Sequence, residues 1–215
     1  MERHNKKSVW INPKFAKLIG RDVPDDGWVE PAAQSSEARD EPPDLLIPAL
    51  GPLHRDLHIP EWLVSERLPI PFFDGQKLPV TIEKLKESDQ MEIEDAVSSF
   101  LRLGRVDRLA ISGYVFANYQ QTAELVSEED LACHIESEQA VWDHVQPGEI
   151  YISRRDRRDC AIYLVIGASC DWELEHGLQM VFRRGSELVR VSQQDGHLTH
   201  TDAYDLPEEQ DRIVD

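Results

Sequence analysis

The chain has 215 residues, 40% hydrophobic and 30% charged, which suits one globular domain with an extension and excludes a chain that is disordered throughout. Its 41 acidic residues outnumber its 23 Lys and Arg residues, and the net charge of −18 disfavours nucleic acid and anionic membranes as direct partners. The same charge favours encounter with a basic partner.

Residues 1–44 are predicted to form an irregular, partly disordered extension. Residues 10–20 contain four spaced apolar side chains and form either a turn of helix or a short anchoring segment. Residues 22–44 are rich in Pro, Asp, Glu and Ser and bury too little to offset their ordering entropy, which predicts a mobile linker. The first ten residues, MERHNKKSVW, lack the apolar segment of a secretory signal.

Order is expected to resume at residues 45–53. Two apolar runs then flank Asp74 and Gly75, a dipeptide that favours a tight turn, so a hairpin is predicted over about residues 67–84. Prolines cannot donate ladder hydrogen bonds, which places these strands at a sheet edge. The prolines concerned are Pro69, Pro71 and Pro79.

Three helices are predicted next. The first is capped by Ser88 or Asp89, follows helical apolar spacing and stops near Gly104. The second covers residues 106–125, and its apolar residues surround the axis, which predicts burial on more than one side. The third is short and is opened by Ser127-Glu128-Glu129-Asp130, with Trp142 and Val145 continuing its packing face.

From Gly148 the apolar period becomes two, and four strands are predicted, with corners at Arg184-Gly185 and Asp195-Gly196. The unbroken apolar run 162–166 is typical of a central strand covered on both faces. The fold class is therefore α+β, an antiparallel β-meander packed against two or three helices. The domain covers residues 45–203, and residues 204–215 form an acidic tail, expected to be frayed.

Residues 170–178 cluster a thiol, three carboxylates, an indole and an imidazole. One hypothesis makes Glu175 and His176 an acid–base or metal pair, with Cys170 as nucleophile. Neighbours in an extended chain point to opposite faces, however, which favours a structured connection instead. There Trp172 plugs the sheet end, Gly177 makes a tight turn, and Glu175 or His176 binds backbone groups of the loop.

The run CDWELEHGLQMVF, followed by a Gly turn and LVRVSQQDGHLT, resembles the C-terminal signature of a bacterial domain of unknown function. The likeness covers residues 66–203, and its specific part is 170–198. The resemblance implies an α+β fold and assigns no reaction and no site residues. Similar domains are associated with immunity proteins of bacterial toxin systems.

Two further clusters have a structural interpretation. His197 and His200 diverge in an extended chain, so they are expected to be surface histidines beside a turn rather than zinc ligands. The basic run 154–158 is expected to neutralise, within the chain, the acidic residues 123–149, which contain eight carboxylates and no Lys or Arg. The same acidic residues could instead dock on a basic protein.

The leading interpretation is a non-enzymatic, cytoplasmic, acidic protein-binding module, in its specific form an immunity protein that neutralises a basic toxin. No cofactor, metal, nucleic acid or membrane partner is expected, and the oligomeric state stays open. The alternatives are a hydrolase or metal-dependent enzyme centred on Cys170, Glu175 and His176, and a structural module. The carboxylates expected to make the contact are Glu124, Glu128, Glu129, Asp130, Glu136 and Glu138.

The cysteines and missing motifs agree with this interpretation. Cys133, Cys160 and Cys170 form no CxxC pair, which argues against a disulfide framework and a Cys-rich zinc site. The sequence contains no P-loop, dinucleotide fingerprint, nucleophile elbow or HExxH motif. Residues 161–168 form the longest strongly apolar run, which is too short to cross a bilayer.

Overall fold

The architecture comes from a computed structural model, which describes residues 9–10, 28–29, 42–84, 86–126 and 131–214. Its strands are β1 Val9–Trp10, β2 Trp28–Val29, β3 Leu45–Ile47, β4 Gly51–Arg55, β5 Leu63–Ser65, β6 Leu68–Ile70, β7 Gln76–Leu78, β8 Val80–Ile82, β9 Val145–Arg154, β10 Ile162–Cys170, β11 Glu173–Arg183 and β12 Glu187–Gln193. Its α-helices are α1 Gln90–Leu101, α2 Arg105–Ala110, α3 Ser112–Leu125 and α4 His200–Tyr204. Short 3₁₀ turns occupy Pro71–Phe73, Glu87–Asp89, Gln139–His144 and Glu208–Gln210.

Eight strands form one sheet in the order β12-β11-β10-β9-β8-β5-β4-β3. Neighbours are antiparallel except β8 and β9, which run parallel because the connection between them carries α1, α2 and α3. Strands β6 and β7 form a separate two-stranded sheet. The predicted α+β class and the antiparallel meander β9–β12 are confirmed.

Side chains of β10 alternate between the two faces of the sheet. Ile162, Leu164 and Ile166 point into the main core under the helices, whereas Tyr163 joins a smaller cluster on the opposite face. All four are buried, so the prediction of a central strand covered on both faces is confirmed. We call the face without the three long-connection helices the open face.

The hairpin around Asp74 is confirmed in part. Strands β6 and β7 pair, and Asp74 and Gly75 take the positive φ angles (53° and 82°) that the dipeptide predicts. Pro79 ends the hairpin, and β8 after it pairs with both β5 and β9. The prediction of edge strands is therefore wrong for β8, because Pro79 lies between two strands rather than in a ladder.

The hairpin loop anchors the helices to the sheet through three phenylalanines. Phe72 lies 5.8 Å from Phe100 of α1 and 5.6 Å from Phe182 of β11, measured between ring centroids. Phe100 and Phe182 are 5.5 Å apart and steeply inclined, a favourable aromatic geometry. Each ring is almost fully buried, so this triangle is the centre of the main core.

Helix α1 forms where predicted, but its end differs. It stops at Leu101, and Gly104 is the N-cap of α2 rather than a left-handed stop, its N–H donating to the Asp107 carboxylate at 2.8 Å. The predicted second helix breaks at Ile111 (φ −98°, ψ 2°) into α2 and α3.

The expected burial of the second helix on several sides is wrong. Helix α2 buries no residue, and α3 buries one stripe at spacings of three and four: Ser112, Val115 and Tyr119. Helix α3 therefore packs on the core through one face only, with Phe116 and Ala123 partly buried beside this stripe. Val106 of α2 is 80% exposed, so an apolar residue in this region is not necessarily buried.

The remaining connection and the chain ends are partly described. Ser127 to Asp130, expected to open a third helix, lie outside the described residues, and Trp142 lies in a 3₁₀ turn that leads into β9. In the extension, β1 and β2 pair antiparallel, and the other residues of 1–41 also lie outside the described ranges.

The described part of the acidic tail packs on the sheet, so the prediction of fraying is wrong for it. The N–H of Val191 donates to the Ile213 carbonyl at 2.6 Å, and Val191 and Val214 form a parallel bridge. In the described chain, no helix has the length and apolarity that crossing a membrane requires.

Candidate functional site

Residues 131–144, a segment with three carboxylates, and the turn between β10 and β11 both contact helix α3. The Trp172 indole N–H donates to the side-chain amide oxygen of Asn118 at 3.1 Å, and the Trp172 ring lies 6.0 Å from that of Tyr119. Tyr119 in turn accepts the Ile135 N–H at 3.2 Å. The fold thus brings together the two segments that the sequence singles out, with Trp172 buried between them at 5% exposure.

A direct link also joins the two segments. The Asp171 N–H donates to the His144 carbonyl at 3.1 Å, and the His144 Nδ1 lies 2.9 Å from the Asp171 carboxylate. We define the acidic end as the exposed carboxylates of this region. They are Glu124, Glu136, Glu138, Asp143, Asp171 and Glu175.

Few cations oppose the acidic end. Neither residues 109–153 nor residues 159–182 contain a Lys or Arg. Histidines are therefore the only cations that these segments can supply. Among the described residues, His144 pairs with Asp171 and His176 pairs with Glu173. Within the described ranges, Asp171 is the one carboxylate of the acidic end that makes an ion pair, and Arg108, over the Trp142 ring at 5.5 Å, pairs with Asp74 instead.

The arginines of the meander lie at the other end of the same strands. Because β9 and β10 are antiparallel, the basic run 154–158 begins at the last residue of β9, whereas Asp171 follows the end of β10 at the opposite edge. The nine residues of β10 separate the two ends by roughly 27 Å at about 3.3 Å per residue. The arginines and the acidic end therefore lie at opposite ends of these strands.

The basic run does not neutralise residues 123–149, and that prediction is wrong. Arg154 pairs with Asp89 at 3.0 Å, and Arg155 pairs with Asp202 and Glu208, each at 2.8 Å. Hydrogen bonds from Arg155, and then from Arg158, lower the pKa of Glu208 to about 2. Strand direction decides this outcome, because it points the basic run away from the acidic segment.

Of the six carboxylates predicted to bind a partner, Glu124, Glu136 and Glu138 are exposed at the acidic end. Glu128, Glu129 and Asp130 lie outside the described residues. The six predicted carboxylates leave out Asp143, which lies within the acidic residues 123–149, and Asp171, for which the absence of Lys and Arg between residues 158 and 183 was a signal.

The connection at residues 170–178 is a bulge rather than a catalytic arrangement. Cys170 pairs with Glu173 and Ala168 with Leu178, so four residues of β11 face one residue of β10. The Glu173 carboxylate accepts the N–H groups of Glu175 at 3.0 Å and His176 at 3.2 Å. The sequence predicts that Glu175 or His176 binds the backbone of this loop, but Glu173 does so instead.

The glycine of the signature also differs from prediction. Gly177 takes φ 66°, which favours glycine, but it lies within the bulged part of β11. The tight turn itself is made by Asp171 and Trp172. Gly177 therefore realigns the strand after the extra residues rather than reversing the chain.

Cys170 lies in the main core, with 3% of its surface exposed. Its thiol donates to the Glu173 carbonyl at 3.8 Å, and burial raises its pKa far above the usual value, the opposite of an activated nucleophile. No hydrogen bond among the described residues joins the side chains of Cys170, Glu175 and His176. The part of the chain described here also holds no group of three potential metal ligands.

A second concave feature lies on the open face, and we call it the open-face cleft. It is half open, and about 440 Å³ of space lies within it when the open solvent at its mouth is counted. The floor comes from β9, β10 and β11, and the loop after β12 forms one wall. Its lining consists of Glu83, Tyr151, Ser153, Val165, Gly167, Gln179, Gln194, Gly196 and Leu198.

That wall is held by buried polar contacts. Arg190 pairs with Asp195 at 2.7 Å, and Gln179 donates to Asp195 at 3.1 Å and to the His197 carbonyl at 3.0 Å. Asp195 and Gly196 therefore do not form a hairpin corner, and the chain continues into α4. His197 is exposed as expected, whereas His200 is buried against Tyr204, 4.7 Å between ring centroids, so the surface prediction is wrong for His200.

Comparison with known proteins identifies the domain. Residues 49–198 match the family described as domain of unknown function (DUF6985). The match spans 198 − 49 + 1 = 150 of the 215 residues, so the chain belongs to this family. No curated protein and no solved structure matches the chain.

Proposed function

We propose that this protein is a non-enzymatic binding module that docks a basic protein through its acidic end. The observation that carries the proposal is the convergence of two Lys- and Arg-free segments on helix α3. Uncompensated charge of one sign speeds encounter and selects a partner of opposite charge.

Exposed apolar side chains next to these carboxylates support the same proposal. Leu174 precedes Glu175 in the bulge and is 63% exposed, and Leu125 follows Glu124 and is 86% exposed. Tyr114 on the same helix is 42% exposed. Protein interfaces combine apolar and aromatic anchors with a polar rim, and this surface supplies both.

In its specific form, the proposal is an immunity protein that binds a basic toxin in the bacterial cytoplasm. The family resemblance of the segment 170–198 supports this form. A nuclease-type toxin presents a basic surface for nucleic acid, and a carboxylate-rich surface competes for it directly. Inhibition of this kind needs no catalytic group on the inhibitor, in agreement with the buried Cys170.

The test uses two triple variants with the same change in net charge. Glu124, Glu136 and Glu138 are replaced by Lys in the first, and exposed Glu61, Glu66 and Glu209 by Lys in the control. Both are compared with the wild-type protein for capture of basic proteins from its own host at low salt. The expected result is a captured basic protein that the first variant loses and the control retains, with affinity that falls steeply as salt rises.

The immunity form is tested by expressing the captured protein with each variant in a host cell. Wild-type and control proteins are expected to protect growth, and the Glu124/Glu136/Glu138 variant is not. If both triple variants capture the same proteins with the same salt dependence, the acidic end is not the docking surface.

A further inference from the structure

The lining of the open-face cleft includes hydrogen-bond acceptors. The Ser153 hydroxyl donates to one oxygen of the Glu83 carboxylate, which leaves the hydroxyl oxygen able to accept. The Gln179 amide nitrogen donates to Ser192, Asp195 and the His197 carbonyl, at 3.0 to 3.1 Å. Because all three partners are acceptors, the orientation of this amide is fixed and its carbonyl oxygen is the atom left for the cleft.

The charge of the lining residues indicates the sign of the charge that a ligand would carry. Glu83 is the one ionisable carboxylate among the lining residues, which include no Lys, Arg or His in the described chain. An anionic ligand would meet the Glu83 carboxylate and no cation of the lining, since Lys84, whose charge acts on Glu83, lies outside it. A cationic donor would instead compensate a partly buried charge and hydrogen bond to it, the stronger kind of hydrogen bond.

The spacing of the strands indicates the shape of the ligand. Glu83 follows β8 and Gln179 lies on β11, three strand spacings apart, or roughly 14 Å between backbones at about 4.8 Å per spacing. Side chains reaching inward from both sides leave room for a short chain. Val165 and Leu198 supply apolar contacts for that chain, and Gly167 leaves space on the floor.

We propose that the open-face cleft binds an alkyl-guanidinium or alkyl-ammonium group, with the cation on Glu83 and the alkyl chain against Val165 and Leu198. The group belongs either to a free small molecule or to an Arg or Lys side chain of a protein. This site is separate from the acidic end and does not depend on the function proposed for it.

Isothermal titration of the full chain with agmatine tests the free-molecule arm, and titration with the blocked tripeptide Gly-Arg-Gly tests the side-chain arm. Binding of agmatine assigns a small-molecule site, and binding of the tripeptide alone assigns capture of a protein side chain. Either result supports the recognition chemistry, provided that 1-pentanol, a neutral chain of similar length, does not bind. If neither cation binds at millimolar concentration, the proposal is wrong.

Two variants place the site. Glu83→Gln keeps the shape and removes the charge, and it is expected to weaken binding by tenfold or more. Gly167→Ala adds a methyl group on the cleft floor at an ordinary contact distance of 3.5 Å from Gln194, so the chain folds while the cleft narrows. Glu66→Gln, exposed and outside the lining, is the charge-matched control and leaves binding unchanged.

Binding that is equal in Glu83→Gln and wild type would overturn the proposal. The Glu124/Glu136/Glu138 Lys variant separates this site from the acidic end, since it is expected to lose the basic partner and retain agmatine. Unaltered binding in Gly167→Ala combined with loss in Glu83→Gln would place the cation on Glu83 outside the cleft, and that outcome also contradicts the site.

Discussion

The guanidinium of Arg190, with none of its side chain exposed, is held by both carboxylate oxygens of Asp195 at 2.8 and 2.7 Å. Asp195 is five residues further along the chain and is partly exposed, so the pair ties the loop after β12 to the open face. The same carboxylate accepts the His197 N–H at 3.0 Å. One ion pair thus positions a wall of the open-face cleft.

Asp195→Ala is expected to destabilise the protein by about 3 kcal/mol, because it leaves a buried guanidinium without its counter-charge. Urea denaturation followed by tryptophan fluorescence measures this change. The double variant Arg190→Met/Asp195→Ala removes the buried charge as well and is expected to be more stable than Asp195→Ala alone. Together with Arg190→Met alone these variants form a double-mutant cycle, and strictly additive losses in it would show that the two side chains are not coupled.

Gly185→Ala tests the contact between a hairpin corner and helix α1. Gly185 takes φ 78°, and an added Cβ would collide with the Ala96 carbonyl, so we expect a loss of about 3 kcal/mol. Gly75→Ala is the matched control, since Gly75 has φ 82° and nothing within 4 Å of the added atom. It is expected to lose about 1 kcal/mol. If Gly185→Ala and Gly75→Ala lose equal stability in thermal unfolding, backbone strain alone explains both losses and the contact with Ala96 contributes nothing.

The meander could be predicted because its information is local. Alternating apolar residues and the corner at Arg184-Gly185 specify β9 to β12 without reference to the rest of the chain. The position of β8 in the sheet could not be predicted in this way. It depends on a parallel pairing with β9 across more than sixty residues, as the register of Val80 with Ile150 shows.

The candidate site was predictable only in part for the same reason. The composition of residues 123–149 identifies an acidic segment, but strand direction decides that Asp171 joins it and that Arg155 does not. The role of Glu173 in the bulge follows from a register shift that has no sequence period. Ionic partners distant in sequence also explain why the tail, through Glu208, is docked.

The tail contact is expected to weaken in acid. The pKa of Glu208 is lowered from 4.5 to about 2 by Arg155 and Arg158, so its contribution is complete above pH 4.5 and is lost as pH falls through about 2. The carboxylate is half exposed, which limits this contribution to less than about 1 kcal/mol. Thermal unfolding between pH 6 and acid should show a decline that is smaller in Glu208→Gln. Identical profiles would contradict the contact.

The cysteines are expected to differ in reactivity. Iodoacetamide should label exposed Cys160 first and partly buried Cys133 more slowly, since burial, and then Asp171, raise the pKa of Cys133. Cys170 should react only after unfolding in urea, which serves as the control for its accessibility. Peptide mass spectrometry follows each site. Native labelling of Cys170 as fast as Cys160, slowed by His176→Ala, would instead support the enzyme alternative.

Glu83 should make the protein less stable as pH rises, the opposite of Glu208. Burial raises the pKa of Glu83 above 4.5, with the Ser153 hydrogen bond and Lys84 opposing the shift. The folded state therefore binds this proton more tightly than the unfolded state, and the stability it contributes is complete below pH 4.5 and is lost as pH rises through the raised pKa.

Glu83→Gln removes the burial of a charge, so its Tm at pH 7 should exceed that of the wild type by about 2 °C or more. The difference should disappear below pH 4.5, where both side chains are neutral. A lower Tm for Glu83→Gln at pH 7 would mean that the ionised carboxylate is already compensated within the fold, and the open-face cleft would then have no charge to offer a cation.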